Sequence, residues 1–415
     1  MYSFGTNQAI VQKYGGTSVG SVERIKNIAK RVRKQVDEGH KKIAIVVSAM
    51  SGETSRLVNL VSQINPEAPP EHYDLAVSAG EQVSVALLAS ALEAEGVSAK
   101  GFTAYHLGIY TDEFHSRARI KSIDCNKLHE AWSKDQIPVI AGFQGISPEG
   151  EITTLGRGGS DTSAVALAVA LKAAFCEINT DVDGVYTADP RVVPNACLNR
   201  EMDFEVALEM ASLGSKVLHA RCVELGAKYE MPIVVRNTFK ENDSERTKIM
   251  SFNEQQRLEA PLVSGVTLDK NVVRIALDEL PQNHKVVSDL FDKVAAAGIN
   301  VDIIVHNKSE NKSTMRLGFS IGKEDLTKTL KLLDVWKESL STSVSIEHEE
   351  GLAKVSVVGL GMQSHPGVAS RCFAVLANSD VEIHMISTSE IKISCVISEK
   401  ISARAAEALH EEFIG

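Results

Sequence analysis

Val11-Gln12-Lys13-Tyr14-Gly15-Gly16-Thr17-Ser18-Val19 joins a strand-like lead-in to a lysine, a glycine pair and two hydroxyls, and a helical pattern follows from Val22 to Glu38. Two consecutive glycines let backbone N–H groups crowd an anion, the following helix turns its positive end toward it, and Lys13 adds a full charge. The stretch predicts a phosphate seat just after a strand. A second glycine-rich turn, Gly156-Arg157-Gly158-Gly159-Ser160-Asp161-Thr162, opens another helical run, Thr162 to Ala174. A third cluster, Asn179-Thr180-Asp181-Val182-Asp183-Gly184-Val185-Tyr186-Thr187-Ala188-Asp189-Pro190-Arg191, carries three carboxylates after an apolar run.

Working outward, β-rich runs alternate with amphipathic stretches from residue 10 to about 240. The strand candidates are Ile10 to Lys13, Lys42 to Val47, Ala99 to Thr103, Ile137 to Phe143, Phe175 to Asn179 and Pro232 to Arg236. Helical patterns at Ser55 to Ile64, Ala79 to Glu95 and Asp124 to Lys134 lie between them. Such alternation predicts an α/β fold, a mostly parallel sheet sandwiched by helices, with ligands at the carboxyl ends of the strands.

The polar segment Lys240 to Pro261 marks a domain boundary, and the pattern changes beyond it. Residues 299 to 305 can be laid on 379 to 385 with an offset of 80, an internal repeat. Each copy reads strand, helix, strand, strand, helix, the ferredoxin-like order. The second copy lacks a final strand, and Leu262 to Leu268 is the expected donor, so the two copies should interlock. The expected domains are 1–255, 262–342, whose first strand is shared with the next, and 343–415.

With 44% hydrophobic and 24% charged residues over 415 positions, the composition is that of a globular protein with well-formed cores. A formal net charge of −10 without a basic cluster argues against nucleic acid as a partner. The six cysteines stand at least 21 residues apart, which excludes CxxC and zinc spacings. The longest apolar run, Ser163 to Leu171, is too short for a bilayer, and Met1 to Gln8 has no export signal, so a cytoplasmic protein is expected. Gly359-Leu360-Gly361 lacks the third glycine of a dinucleotide turn, since position 364 is serine.

Six motifs in order, Lys13-Tyr14-Gly15-Gly16-Thr17-Ser18, Ser48-Ala49-Met50, Gly80-Glu81, Gly142-Phe143-Gln144-Gly145, Gly156-Arg157-Gly158-Gly159-Ser160-Asp161 and Asp181-Val182-Asp183-Gly184-Val185-Tyr186, resemble the aspartate kinases of the amino-acid-kinase family. The C-terminal repeats look like the paired ACT domains of the monofunctional enzymes. The resemblance implies ATP-dependent phosphorylation of the β-carboxylate of L-aspartate to 4-phospho-L-aspartate, the entry to lysine, threonine and methionine synthesis. A kinase for another carboxylate, such as glutamate or acetylglutamate, and a catalytically idle amino-acid sensor are the alternatives.

By carry-over from the family, Lys13 bridges the β- and γ-phosphates, with the Gly15 and Gly16 amides completing the cradle. Asp161 orients the lysines, its competing reading being an N-cap. Arg157 is suited to gripping the substrate α-carboxylate and Glu81 to pairing with its ammonium, unless Glu81 is a solvated helix-terminal glutamate. Ser48, Thr54, Gly158, Gly159 and Ser160 complete the substrate site. Thr180, Asp181, Tyr186, Asp189, Pro190 and Arg191 match the nucleotide segment, and Lys216 a further phosphate-proximal lysine. Mg²⁺ is expected with ATP, held by phosphate oxygens and water and not by a dedicated protein site; a site built from Asp181 and Asp183 is the weaker alternative.

The ACT resemblance implies feedback by lysine, threonine or both, and a homodimer formed through these domains. Asn283, Asn300, His306, Val381 and Ile383 are the effector-site candidates. The first repeat departs from the family where Pro281-Gln282-Asn283-His284 replaces a Pro-Gly turn and His306 replaces a glutamine, which puts its effector in doubt. Met250 stands where some relatives begin a separately translated small regulatory subunit.

Overall fold

A computed structural model describes residues 8–215, 217–240, 245–308, 314–340 and 344–415. By internal contacts the chain divides into two compact units. The first comprises Met1–Tyr186, Leu198–Ser212 and Lys216–Gln256, and the second Thr187–Cys197, Leu213–Ser215 and Arg257–Gly415.

In the first unit the strands are β1 (Ile10–Tyr14), β2 (Ile43–Val47), β3 (Ala99–Phe102), β4 (Ile109–Thr111), β5 (Ile120–Ile123), β6 (Ile137–Ala141), β7 (Gln144–Ile146), β8 (Ile152–Thr154), β9 (Cys176–Thr180), β10 (Glu201–Asp203), β11 (Ile233–Asn237) and β12 (Arg246–Met250). The helices are α1 (Val22–Asp37), α2 (Glu53–Ile64), α3 (Pro70–Val77), α4 (Ala79–Ala94), α5 (Ala104–Leu107), α6 (Asn126–Ser133), α7 (Gly159–Ala170), α8 (Phe204–Ser212) and α9 (Ala220–Lys228), with α10 (Glu254–Leu258) at its end.

An eight-stranded sheet runs in the order β10-β12-β11-β9-β1-β2-β6-β3, parallel except for the β11–β12 pair. β1, β2 and β6 are buried along their whole length, the mark of strands covered on both faces. Ile25, Ile28, Ala29 and Val32 of α1 recur at helical spacing and pack on the sheet with Val85, Leu88 and Leu92 of α4. Pro70–Ala94, which spans α3 and α4, is long and apolar enough to cross a membrane by length and composition alone, and its Val85, Leu88 and Leu92 lie in this core. A small sheet, β5-β4-β7-β8, was not anticipated.

The second unit holds β13 (Gly265–Pro281), α11 (His284–Ala296), β14 (Val301–Lys308), β15 (Thr314–Ile321), α12 (Leu326–Glu338), β16 (Ser345–Val358), α13 (Val368–Asn378), β17 (Ile383–Thr388), β18 (Lys392–Ser398) and α14 (Ser402–Phe413). One six-stranded sheet runs β14-β15-β13-β16-β18-β17. The start of β13, Gly265–Asp269, pairs with Lys354–Val358 in the second repeat, while its end pairs with β15 in the first. Ser345–Glu349 at the start of β16 in turn closes the first repeat against Arg274–Asp278. That closing strand lies beyond residue 342, so each repeat lends a strand to the other. Each repeat has its own helix-side core, Leu290, Phe319 and Trp336 in the first and Cys372, Leu376 and Leu409 in the second, while Val272, Ile303, Leu352, Met385 and Val396 form a cluster that both share.

Candidate active site

β1 lies between β2 and β9, with β6 and β3 beyond one and β11 beyond the other. In an open α/β sheet this switch point, outside the carboxyl ends of the strands, is where ligands sit. Lys13, next to last in β1, places Nζ 2.5 Å from Asp161 Oδ1, both side chains about nine-tenths buried. The contact is ionic and not a directed hydrogen bond, since Oδ1 has no bond of good geometry. α7 begins at Gly159 with Gly158 as its N-cap residue, so Asp161 is not a cap. It stands in the first turn, where a carboxylate meets the positive end of the helix.

The glycine pair divides its work. Gly15 N–H is occupied by the Asn179 carbonyl at 3.1 Å, extending the β1–β9 ladder, so it does not face a ligand as expected. The Gly16 amide has no intramolecular acceptor among the described residues. Its missing side chain admits the turn after β2: a Cβ there would stand 2.9 Å from Ala49 O. Ser51 N–H donates to Gly16 C=O, and Ser48 N–H to Tyr14 C=O, each at 3.1 Å. Ser48 and Thr54, the latter in the first turn of α2, are both half-buried.

The same turn holds Glu81. Ala49 N–H donates to Glu81 Oε1 at 3.0 Å, while Oε2 is buried with no partner. The residue is 3% exposed, not the solvated helix end weighed from sequence. Burial pushes its carboxyl up to about 7, against the pull of the Ala49 and Glu81 amides. A buried carboxylate with one open oxygen is short of a cation.

Gly156 and Gly158 adopt left-handed conformations, φ +75° and +67°. At Gly158 a Cβ would also stand 2.1 Å from the His219 ring. Two groups that sequence reasoning missed hold this loop. Asp74 of α3, fully buried, accepts from Ser116 N (2.8 Å) and Oγ (3.0 Å) and from Thr154 N (2.8 Å) and Oγ1 (2.7 Å), and bonds His115 Nδ1 (3.0 Å). Arg221 of α9 donates to the Leu155 and Ala118 carbonyls at 2.8 and 2.7 Å. Neither sits in a motif; only the tertiary crossing of α3 and α9 with this loop reveals them. Gly159 and Ser160 are buried in the first turn of α7, while Arg157 is exposed.

Beyond β9, the Thr180 hydroxyl bonds Asp181 Oδ1 at 3.2 Å. Asp183 accepts from Tyr186 Oη (2.9 Å), Asn237 Nδ2 (2.9 Å) and Lys240 Nζ (2.8 Å). Partial burial pushes its carboxyl up, but the bonds from Lys240, Asn237 and Tyr186 outweigh it and hold the group below the usual carboxylate range. Asp189, Pro190 and Arg191 lie in Thr187–Cys197, part of the second unit, where Asp189 and Arg191 pair at 2.7 Å. Lys216 lies outside the described residues. Among the described residues, no three His, Cys, Asp or Glu side chains converge as a metal cage.

Of the effector candidates, Asn283 is the N-cap of α11, accepting from Lys285 N at 3.0 Å. Asn300 is exposed, and His306 Nε2 lies 3.1 Å from Met315 Sδ. Val381 is buried in the apolar core of the second repeat, and Ile383 packs half-buried against it.

Residues 8–237 match the model of the amino acid kinase family, and residues 355–413 that of the ACT domain. An aspartate kinase of Stutzerimonas stutzeri is 45% identical over 404 residues, 97% of both chains. The crystal structure of Escherichia coli aspartokinase III with aspartate and ADP, in its R-state, superposes with a TM-score of 0.82 at 25% identity, covering 98% of this chain and 100% of that one. The same enzyme with lysine and aspartate, in its T-state, gives 0.75 at 26% identity, with the same coverage.

Proposed function

Because the chain belongs to the aspartate kinases of the amino acid kinase family, whose members phosphorylate the β-carboxylate of L-aspartate with ATP, we propose how its own residues carry that transfer. A carboxylate nucleophile needs no general base, so the task is to bring two anions into line and neutralise the phosphoryl group in flight. A β-carboxylate oxygen of aspartate bonds to the γ-phosphorus as the bond to the bridging oxygen of ADP breaks. Lys13, held by Asp161 at the positive end of α7, meets the β- and γ-phosphates and stabilises the charge that develops between them. The Gly16 amide adds a donor from the backbone.

The observation that carries the substrate reading is Glu81. Its unpartnered oxygen is the complement of the aspartate ammonium. Arg157, on the loop fixed by Asp74 and Arg221, takes the α-carboxylate, with Ser48, Thr54 and Ser160 as hydroxyl partners. Thr180, Asp181 and Tyr186 border the nucleotide.

The residues around the seat do not furnish a cage for Mg²⁺, since Asp183 is held by Lys240, Asn237 and Tyr186. Magnesium, if carried by ATP on its phosphate oxygens, would offset phosphate charge while Lys13 and the Gly16 amide hold the transferring group.

The second unit serves as the regulatory half, binding an amino acid of the lysine or threonine class. This rests on the ACT match and on the lysine complex of the E. coli relative. A two-fold dimer through this unit is supported by Ile304 and Ile386, exposed on the edge strands β14 and β17.

Formation of aspartyl hydroxamate, with glutamate and acetylglutamate as rival acceptors and lysine and threonine as inhibitors, tests the whole. Lys13→Ala should lower kcat by about 10³-fold or more with the melting temperature preserved. Wild-type turnover in that variant would remove Lys13 from the mechanism.

A further inference from the structure

Behind the glycine loop, β5, α7 and α9 enclose a cleft of about 530 Å³ within the first unit. Arg119, Lys121, Arg221 and Lys228 line it against a single carboxylate, Glu224. Four cations against one lining carboxylate are conspicuous in a chain of net charge −10. Lys121 lies 4.0 Å from Asp112, but among the described residues Arg119, Arg221 and Lys228 form no ion pair with a carboxylate. Arg221 is half-buried, and its proton affinity is lowered first by that burial and then by the neighbouring Arg119, against a smaller upward pull from Asp112 and Glu224. Like charges crowded at a partly dry site are relieved by an anion.

The remaining lining indicates what kind of anion. Ala166, Val169 and Leu225 give an apolar floor, and the Tyr229 ring stands half-exposed at the cleft. Guanidinium groups favour carboxylate and phosphate in bidentate geometry, while the floor and the ring favour an organic body over an inorganic ion. Neither Lys13, Glu81, Arg157 nor Asp161 lines this space.

We propose that the cleft is a second ligand site, which takes a small organic anion bearing two or more negative charges on a planar or apolar body. Its occupancy reaches the substrate loop through Arg221, which lines the cleft and whose guanidinium holds the Leu155 carbonyl next to Gly156 and the Ala118 carbonyl.

Benzene-1,3,5-tricarboxylate is a suitable probe, titrated calorimetrically into the full chain with ADP and aspartate saturating, so that the phosphate seat and the substrate subsite are filled. One probe should bind per chain, and Arg119→Ala combined with Lys228→Ala should weaken it by at least about tenfold. The KM for aspartate should shift with probe concentration in the wild type and not in the double variant. Absence of saturable binding, binding abolished by ADP and aspartate, or equal binding to the double variant overturns the site. An unmoved KM at full occupancy overturns its link to the loop. Self-association abolished by the double variant, without probe binding, would make the cleft an interface between copies and likewise overturn it.

Discussion

A carboxyl group lifted to about 7 by burial changes charge in the neutral range, and Glu81 is such a group. Only its ionised form holds an ammonium, so the KM for aspartate should fall as pH rises through about 7 and climb up to about tenfold per unit below it. Folding has the opposite preference. A carboxyl raised from 4.5 contributes stability that is present below that pH and lost as pH rises through about 7; in full this is ~3 kcal/mol. Glu81→Gln should therefore raise the melting temperature of the ligand-free protein at pH 8 while raising the KM for aspartate. A variant less stable at pH 8 would contradict an unpaired buried charge. From sequence, Glu81 could be singled out only by family resemblance, because Gly80-Glu81 is in itself an ordinary helix start. What buries it is the turn after β2 crossing Gly80, where a Cβ would stand 2.7 Å from the Ala49 side chain. Lys13 was legible directly, since a lysine ahead of paired glycines has few structural uses.

At the scale of elements, the strands of the parallel sheet announced themselves as short apolar runs, and their parallel pairing followed from the helices between them. The small sheet did not, because its strands are three or four residues long and show no sustained alternation. Nor did the start of α7, because Gly159 and Ser160 read as loop yet are helical, which is how Asp161 passed for a cap. The αL cap at Gly158 makes that start fragile. Gly158→Ala forces a Cβ into both a left-handed backbone and the His219 ring, and should lower kcat/KM for aspartate by about 10²-fold through displacement of Arg157. Adding His219→Gly should recover part of the loss, since it removes both the ring and the His219 Cβ, which would itself stand 2.4 Å away, but leaves the left-handed backbone. Full recovery would show that the backbone conformation contributes nothing. Asp74, with its five bonds, acts on the same loop from the other side; no local pattern marks it.

Across the whole molecule, the repeat offset of 80 was readable, and so was the need for a donor strand, but not the fusion of donor and recipient into continuous strands. Nor could the sequence show that Thr187–Cys197 leaves the first unit for the second, where Ala188 and Val193 join the apolar core with Val263 and Val266. Residues 8–256 expressed alone should therefore be poorly soluble, each stranded apolar side chain losing up to ~2 kcal/mol of burial. Val193→Ser should raise the soluble fraction of that fragment, and a fragment soluble without it would refute the prediction. The excursion is fastened by Thr187, whose Oγ1 accepts from Cys197 N at 2.9 Å and lies 2.8 Å from His410 Nε2. Burial holds this imidazole below its ordinary value of 6.5, while Glu411 pulls weakly upward. A depressed value gives stability that is present above 6.5 and lost as pH falls below it. From this group, unfolding by denaturant should show less stability at pH 5.5 than at pH 7.5, a contribution abolished in His410→Gln. The two long strands also constrain descent. Because β13 and β16 each serve both repeats, neither repeat is a heritable block: deleting, duplicating or exchanging one takes a strand from its neighbour. A crossover that spares the fold has to fall outside both, so the pair passes between lineages whole and diverges by substitution within a fixed frame.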